Sequence, residues 1–256
     1  MVMKKNVLGL ALGGGGAKGY FHVGVLSALS DKNIKFKAVA GTSIGSIVGA
    51  MYALGYSPKD MCALISEMGI SKPSFMLSMK LKNVPLSKVI ERVLGERSFS
   101  DLKMPFTAVA TNLDTGSEER LREGDLCLAL SASSTIPPAY RYVNYKNKKL
   151  VDGGFSNLVP VRAVKELGAK KVLAIDLSAH LPMNYKSLKI LDKVYPFHKV
   201  KRANRSLEKS EAEIVLEPDL TDYTMLSFKR FDSLYELGYQ TALDNMAKIK
   251  KKLNIP

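Results

Sequence analysis

FKAVAGTSIGSIVGAMYAL, residues Phe36 to Leu54, is the stretch whose reading decides the fold. Phe36–Ala40 is a short apolar run and reads as a buried strand. Ile44–Leu54 follows at once and reads as a helix. Only Gly41, Thr42 and Ser43 stand between them, so strand passes into helix through one tight turn. That is the joint of a βα unit, and such units build parallel sheets. The same residues spell Gly41-x-Ser43-x-Gly45. In this pattern a serine projects from a strained strand-to-helix turn, and glycines stand where the backbone is crowded. The helix N-terminus beside Ser43 favours negative charge there. Ser43 is therefore a candidate nucleophile. The plainer alternative is a glycine turn.

Outward from this joint the alternation continues. Strands are expected at Val7–Leu12, Phe106–Thr111, Leu150–Val151, Val172–Leu177 and Ile214–Leu216. Helices are expected at Gly19–Leu29, Pro58–Met68, Leu86–Leu94 and Val161–Leu167, with one long final helix over Phe228–Lys252. Short apolar strands between amphipathic helices predict an α/β fold, a mainly parallel central sheet covered by helices on both faces. No internal repeat or low-complexity linker interrupts the 256 residues, which read as one domain.

The first strand runs into Gly13-Gly14-Gly15-Gly16-Ala17-Lys18-Gly19. Three readings compete for this loop. A phosphate-binding Walker loop needs Gly-Lys followed by Ser or Thr, but Lys18 precedes Gly19. A dinucleotide fingerprint is formally present as Gly14-x-Gly16-x-x-Gly19, yet the acid expected after the second strand is replaced by Ser43. The third reading is an oxyanion hole of free backbone N–H groups. In a parallel sheet the C-terminal strand ends share one edge, so loop and serine would face one cleft.

An activating base is less obvious. His22 reads as a packed helical histidine, His180 sits in a polar loop, and His198 lies in a basic segment. Asp152, in Val151-Asp152-Gly153-Gly154, ends a short strand beside two glycines. Burial in a cleft would raise its pKa toward useful basicity. Asp-Gly is also a common turn signal. Asp114-Thr115-Gly116-Ser117 matches an aspartic protease signature, but that chemistry needs two such aspartates, and this one reads as a turn.

The glycine loop Gly14–Gly19, the elbow Gly41–Gly45 and the triplet Asp152–Gly154 resemble, in this order, the motifs of patatin-like phospholipases. Ala132-Ser133-Ser134-Thr135-Ile136-Pro137 is similar to a stretch these proteins carry before the aspartate. The chain looks like the small single-domain bacterial members. The resemblance implies a three-layer sandwich, lipid acyl ester substrates and a Ser–Asp dyad without histidine. By position it makes Ser43 the nucleophile, Asp152 the base, and Gly14, Gly15 and Gly16 the oxyanion donors. It implies no metal and no cofactor.

Composition bounds the partners. Lys plus Arg number 38 against 24 Asp plus Glu, a net charge of +14. Such a surface either favours anionic partners or is a solvated basic face; on the first reading, with the resemblance, peripheral contact with an anionic membrane is expected rather than nucleic acid. The two cysteines, Cys62 and Cys127, sit in apolar helical patterns and suit a reducing cytoplasm. No run reaches the roughly 18 apolar residues of a membrane span. Residues 69–84 and 185–210 mix apolar and basic residues and read either as membrane-facing flaps or as ordinary surface segments. A rival expectation is a regulatory or protein-interaction module with weak esterase activity.

Overall fold

The computed structural model describes residues 7–68, 85–136, 142–180, 207–223 and 230–256. Segment 69–84 and most of segment 185–210 lie outside the described residues, as does His198.

The strands are β1 (Leu8–Leu12), β2 (Ala38–Thr42), β3 (Phe106–Asn112), β4 (Glu118–Leu121), β5 (Val143–Tyr145), β6 (Lys148–Asp152), β7 (Lys171–Ile175) and β8 (Ile214–Leu216). The helices are α1 (Gly19–Asp31), α2 (Ile44–Leu54), α3 (Pro58–Glu67), α4 (Leu86–Leu94), α5 (Leu126–Ser134), α6 (Val161–Glu166), α7 (Phe231–Asp244) and α8 (Met246–Leu253). One eight-stranded sheet pairs in the sequence β5-β6-β3-β2-β1-β7-β8, with β4 also on β3. The β3–β2–β1–β7–β8 run is parallel. β4, β5 and β6 join antiparallel.

The central strands are largely apolar because both their faces are covered. Side chains alternate across the sheet. Leu10, Leu12, Val39, Leu173 and Ile175 point into the larger core, shared with α1, α2, α5, α7 and α8. Ala11, Ala38, Ala40, Val172 and Ala174 face a smaller core that includes Val161, Ala163 and Val164 of α6. Alanines on that side let α6 lie close. Gly9 continues the pattern, since a Cβ there would overlap Ala169.

Three expectations need correction. The second strand is Ala38–Thr42, not Phe36–Ala40; its ladder with β1 starts at Gly9 and Ala38 and carries β2 up to the serine. The two-residue strand at Leu150–Val151 is the middle of a five-residue strand. The final helix is two helices. Asn245 has φ −95° and ψ 4°, outside the helical basin, and its side-chain amide donates to the Thr241 carbonyl at 2.9 Å. A side chain competing for backbone partners ends the helix there.

β3 fixes the geometry that matters. Val109 pairs with both Thr42 of β2 and Arg120 of β4. Ala110 pairs with both Glu119 of β4 and Asp152 of β6. A strand residue has two edges, so β4 occupies one, and β2 and β6 share the other end to end. The C-terminal ends of β2 and β6 therefore meet at the Val109–Ala110 step of one strand.

Candidate active site

Ser43 caps α2 at φ 54° and ψ −128°, a conformation L-residues rarely adopt. Holding such a residue costs on the order of 1–3 kcal/mol, and the surroundings must over-determine it. They do. The Ser43 N–H donates to Ser133 Oγ at 3.0 Å. The Ser43 carbonyl accepts from Ser46 Oγ at 2.6 Å and from the Ser46 N–H at 2.8 Å. A Cβ at Gly45 would overlap the Leu12 carbonyl oxygen, so α2 starts against the end of β1 only because Gly45 has none. The side chain is almost covered, with 8% exposure.

Asp152, the last residue of β6, lies across the Val109–Ala110 step from Ser43. It is 5% exposed, and its Oδ1 accepts the Gly154 N–H at 2.7 Å. Its own N–H donates to the Thr135 carbonyl, and its carbonyl accepts from Thr111 Oγ1 at 2.9 Å. A Cβ at Gly153 would overlap the Val109 carbonyl oxygen, which is why glycine must follow the aspartate. The arrangement brings the two sequence candidates together from positions far apart in the chain.

The glycine loop is the third wall. A Cβ at Gly14 would lie 3.3 Å from Ser43 Cβ. The three glycines are not equivalent as donors. The Gly14 N–H donates to the Leu158 carbonyl at 3.2 Å. Within the described residues the N–H groups of Gly15 and Gly16, at the start of a 3₁₀ turn, make no hydrogen bond. A helical start presents such free donors to negative charge. Lys18 is fully buried; its Nζ donates to the Leu220 carbonyl at 3.2 Å, and desolvation lowers its pKa. It ties the loop to the turn that follows β8.

No described histidine is placed as a base for Ser43. His22 is fully buried with Nε2 2.8 Å from the Gly13 carbonyl. A carbonyl only accepts, so Nε2 carries the proton. Burial pushes the His22 pKa down to about 4, against the Gly13 bond and the charge of Asp176. His180 is exposed, with Nε2 3.1 Å from the Glu217 carbonyl. Asp114 lies in an exposed turn beside Lys149. A separate open cleft of about 520 Å³ is lined by Lys88, Glu91, Arg97, Asp101, Asp125 and Cys127. Desolvation pushes the Cys127 thiol up to about 11, which makes it a poor nucleophile. Among the described residues no cluster of three His, Cys, Asp or Glu is placed to hold a metal. No described helix is long and apolar enough to cross a membrane.

The residues that sequence reasoning missed are the polar supports, Ser133 and Thr111. The signals for Ser133 were the run of small polar residues from Ser131 to Thr135 and the family-like stretch Ala132–Pro137, neither of which gave it a role.

Comparison with known proteins adds three findings. The family model described as patatin-like phospholipase matches residues 10–165. Lysophospholipase NTE1 of Meyerozyma guilliermondii is 25% identical over 290 residues, covering 100% of this chain and 20% of that protein. Human patatin-like phospholipase domain-containing protein 6 is 28% identical over 278 residues, covering 93% of this chain and 20% of its own length. The chain thus spans about a fifth of these relatives. Among solved structures, VipD from Legionella pneumophila superposes with TM-score 0.58 at 14% identity, over 95% of this chain and 67% of its own. Human GIVD cytosolic phospholipase A2 gives 0.50 at 12% identity, over 97% and 59%. These two likenesses concern the fold.

Proposed function

The chain belongs to the patatin-like phospholipase family, and on that premise we propose that it is a serine hydrolase of lipid acyl esters. Ser43 acts as nucleophile and Asp152 as its base. As Ser43 Oγ attacks the acyl carbonyl carbon, its proton passes to the Asp152 carboxylate. The carbonyl electron pair moves onto oxygen, and the N–H groups of Gly15 and Gly16 hold that oxyanion. Gly14, with its N–H already bonded, serves by its missing side chain, which leaves room beside Ser43. Collapse of the tetrahedral adduct breaks the ester bond, and the leaving alkoxide takes the proton from Asp152. Water, deprotonated by the same carboxylate, then releases the fatty acid and restores Ser43.

The observation that carries this reading is the meeting of β2 and β6 at one step of β3, with the glycine loop against Ser43. The relative from Meyerozyma guilliermondii is named a lysophospholipase, so single-chain phospholipids are the first substrates to try. No cofactor enters any step.

The test measures fatty acid release from lysophospholipid, diacyl phospholipid and a short-chain nitrophenyl ester. Wild type is expected to hydrolyse at least one lipid, and Ser43→Ala to lose at least about 10³-fold in kcat. An alkyl fluorophosphonate should label Ser43. A label found on another serine, or an active Ser43→Ala enzyme, would sink the assignment.

A further inference from the structure

We propose that the C-terminal turn of α5 is a clamp that sets the spacing between nucleophile and base, with Ser133 its positioning residue. The proposal rests on the Ser43–Asp152 reading and extends it to a segment that reading leaves unused, Ser133 to Thr135.

Three bonds define the clamp. Ser133 Oγ accepts the Ser43 N–H at 3.0 Å. The same hydroxyl donates to the Val109 carbonyl at 2.6 Å. Two residues on, the Thr135 carbonyl accepts the Asp152 N–H at 2.8 Å. One turn of backbone thus holds the amide of the nucleophile and the amide of the base. It is also anchored to β3 at Val109, the residue where β2 ends. Thr135 Oγ1 donates back to the Ser131 carbonyl at 2.7 Å, which closes the turn on its own helix. Ser133 is fully buried and Thr135 nearly so.

The physical need for such a device follows from the two strand ends. β2 and β6 do not pair with each other; β3 is the strand on which both are registered. Ser43 lies one residue past the β2–β3 ladder, so the ladders alone do not fix its distance from Asp152. Ser43 is also held at a backbone conformation that relaxes if its N–H loses a partner. A hydroxyl is suited to the place because it accepts from Ser43 and donates to Val109 at once. Alanine leaves both the N–H and the carbonyl buried without that partner. The consequence falls on geometry: a displacement of about 1 Å at a reacting group can cost about 10²-fold in rate.

The experiment uses the full chain and a short-chain nitrophenyl ester, with active sites counted by fluorophosphonate titration. Ser133→Ala is expected to lose about 10²-fold in kcat per titrated site with KM within about twofold, a pattern of lost transition-state positioning. Ser133→Thr, which keeps the hydroxyl, is expected to recover most of the loss. Ser133→Cys keeps the volume but offers a weak acceptor, so it should fall between them. A purely structural serine would lower the titratable fraction and the melting temperature but leave kcat per site unchanged. That result overturns the clamp, as does equal damage in Ser133→Thr and Ser133→Ala. If Ser133→Ala does not fold, the Thr and Cys enzymes decide, and wild-type kcat in Ser133→Cys overturns the proposal. An active Ser43→Ala enzyme removes the dyad and the clamp together. An inactive Ser43→Ala enzyme beside a fully active Ser133→Ala enzyme removes the clamp alone.

Discussion

At Asp152 the chemistry asks for a proton acceptor and the fold asks for a turn. Asparagine separates the two demands, because it keeps the size and can still accept the Gly154 N–H. Asp152→Asn is expected to fold normally and to lose about 10²–10⁴-fold in kcat, the range of a removed general base. Steady-state kinetics beside a thermal melt decides this; an enzyme with most of its kcat would return Asp152 to a turn residue. His22 makes a different prediction. Its ordinary pKa of 6.5 falls to about 4 in the folded chain, so the unfolded chain binds the proton first. The stability it contributes is present above about pH 6.5 and lost as pH falls toward 4, by on the order of 3 kcal/mol. Denaturant melts across that window should show the loss in wild type, and His22→Gln should lack that component. An identical pH slope in both would overturn the assignment. Ser43 was legible because G-x-S-x-G with its strand and helix is a local pattern. From its own surroundings Asp152 was legible only as a strand end before two glycines, and its role came from the family resemblance. That the Gly14 N–H is engaged was not legible at all, because the Leu158 carbonyl that takes it arrives from a distant loop.

Among the elements, α1 and α7 make the tightest contact. A Cβ at Gly24 would overlap the Tyr235 carbonyl oxygen, and one at Gly238 the Phe21 carbonyl oxygen. The helices cross backbone to backbone at two glycines. Tyr235 and Tyr239 flank the crossing, with hydroxyls bonded to Ser27 Oγ at 2.8 Å and to Asp31 Oδ2 at 2.9 Å. Gly238→Ala would gain helix propensity if exposed, but here it forces the helices apart. A net loss of about 1–3 kcal/mol is expected, the usual cost of overpacking. Chemical denaturation measures it, and a more stable Gly238→Ala protein would contradict the crossing. The parallel strands were readable because they are apolar on both faces. β4 (Glu-Glu-Arg-Leu) and β5 (Val-Asn-Tyr) were not, since they are short and polar, each one arm of a local antiparallel pair. The long apolar-periodic C-terminal stretch concealed a break that depends on one asparagine side chain.

On the scale of the whole molecule the net charge is +14. We propose that it brings the protein to anionic bilayers, each well-placed Lys or Arg contributing about 1 kcal/mol within a Debye length. Sedimentation with liposomes is expected to rise with the anionic lipid fraction and fall with salt. Equal sedimentation with neutral vesicles would leave the charge as solvation alone. The α1–α7 crossing has a consequence on another axis, the order in which the chain is made. Tyr235 and its partner Ser27 are 208 residues apart. A ribosome adding about 5–20 residues per second needs roughly 10–40 s to bridge that gap. Throughout that interval α1, with the glycine loop at its head, has been synthesised without the helix that covers it. The nascent protein therefore carries α1 with its α7-facing flank uncovered until that segment is made.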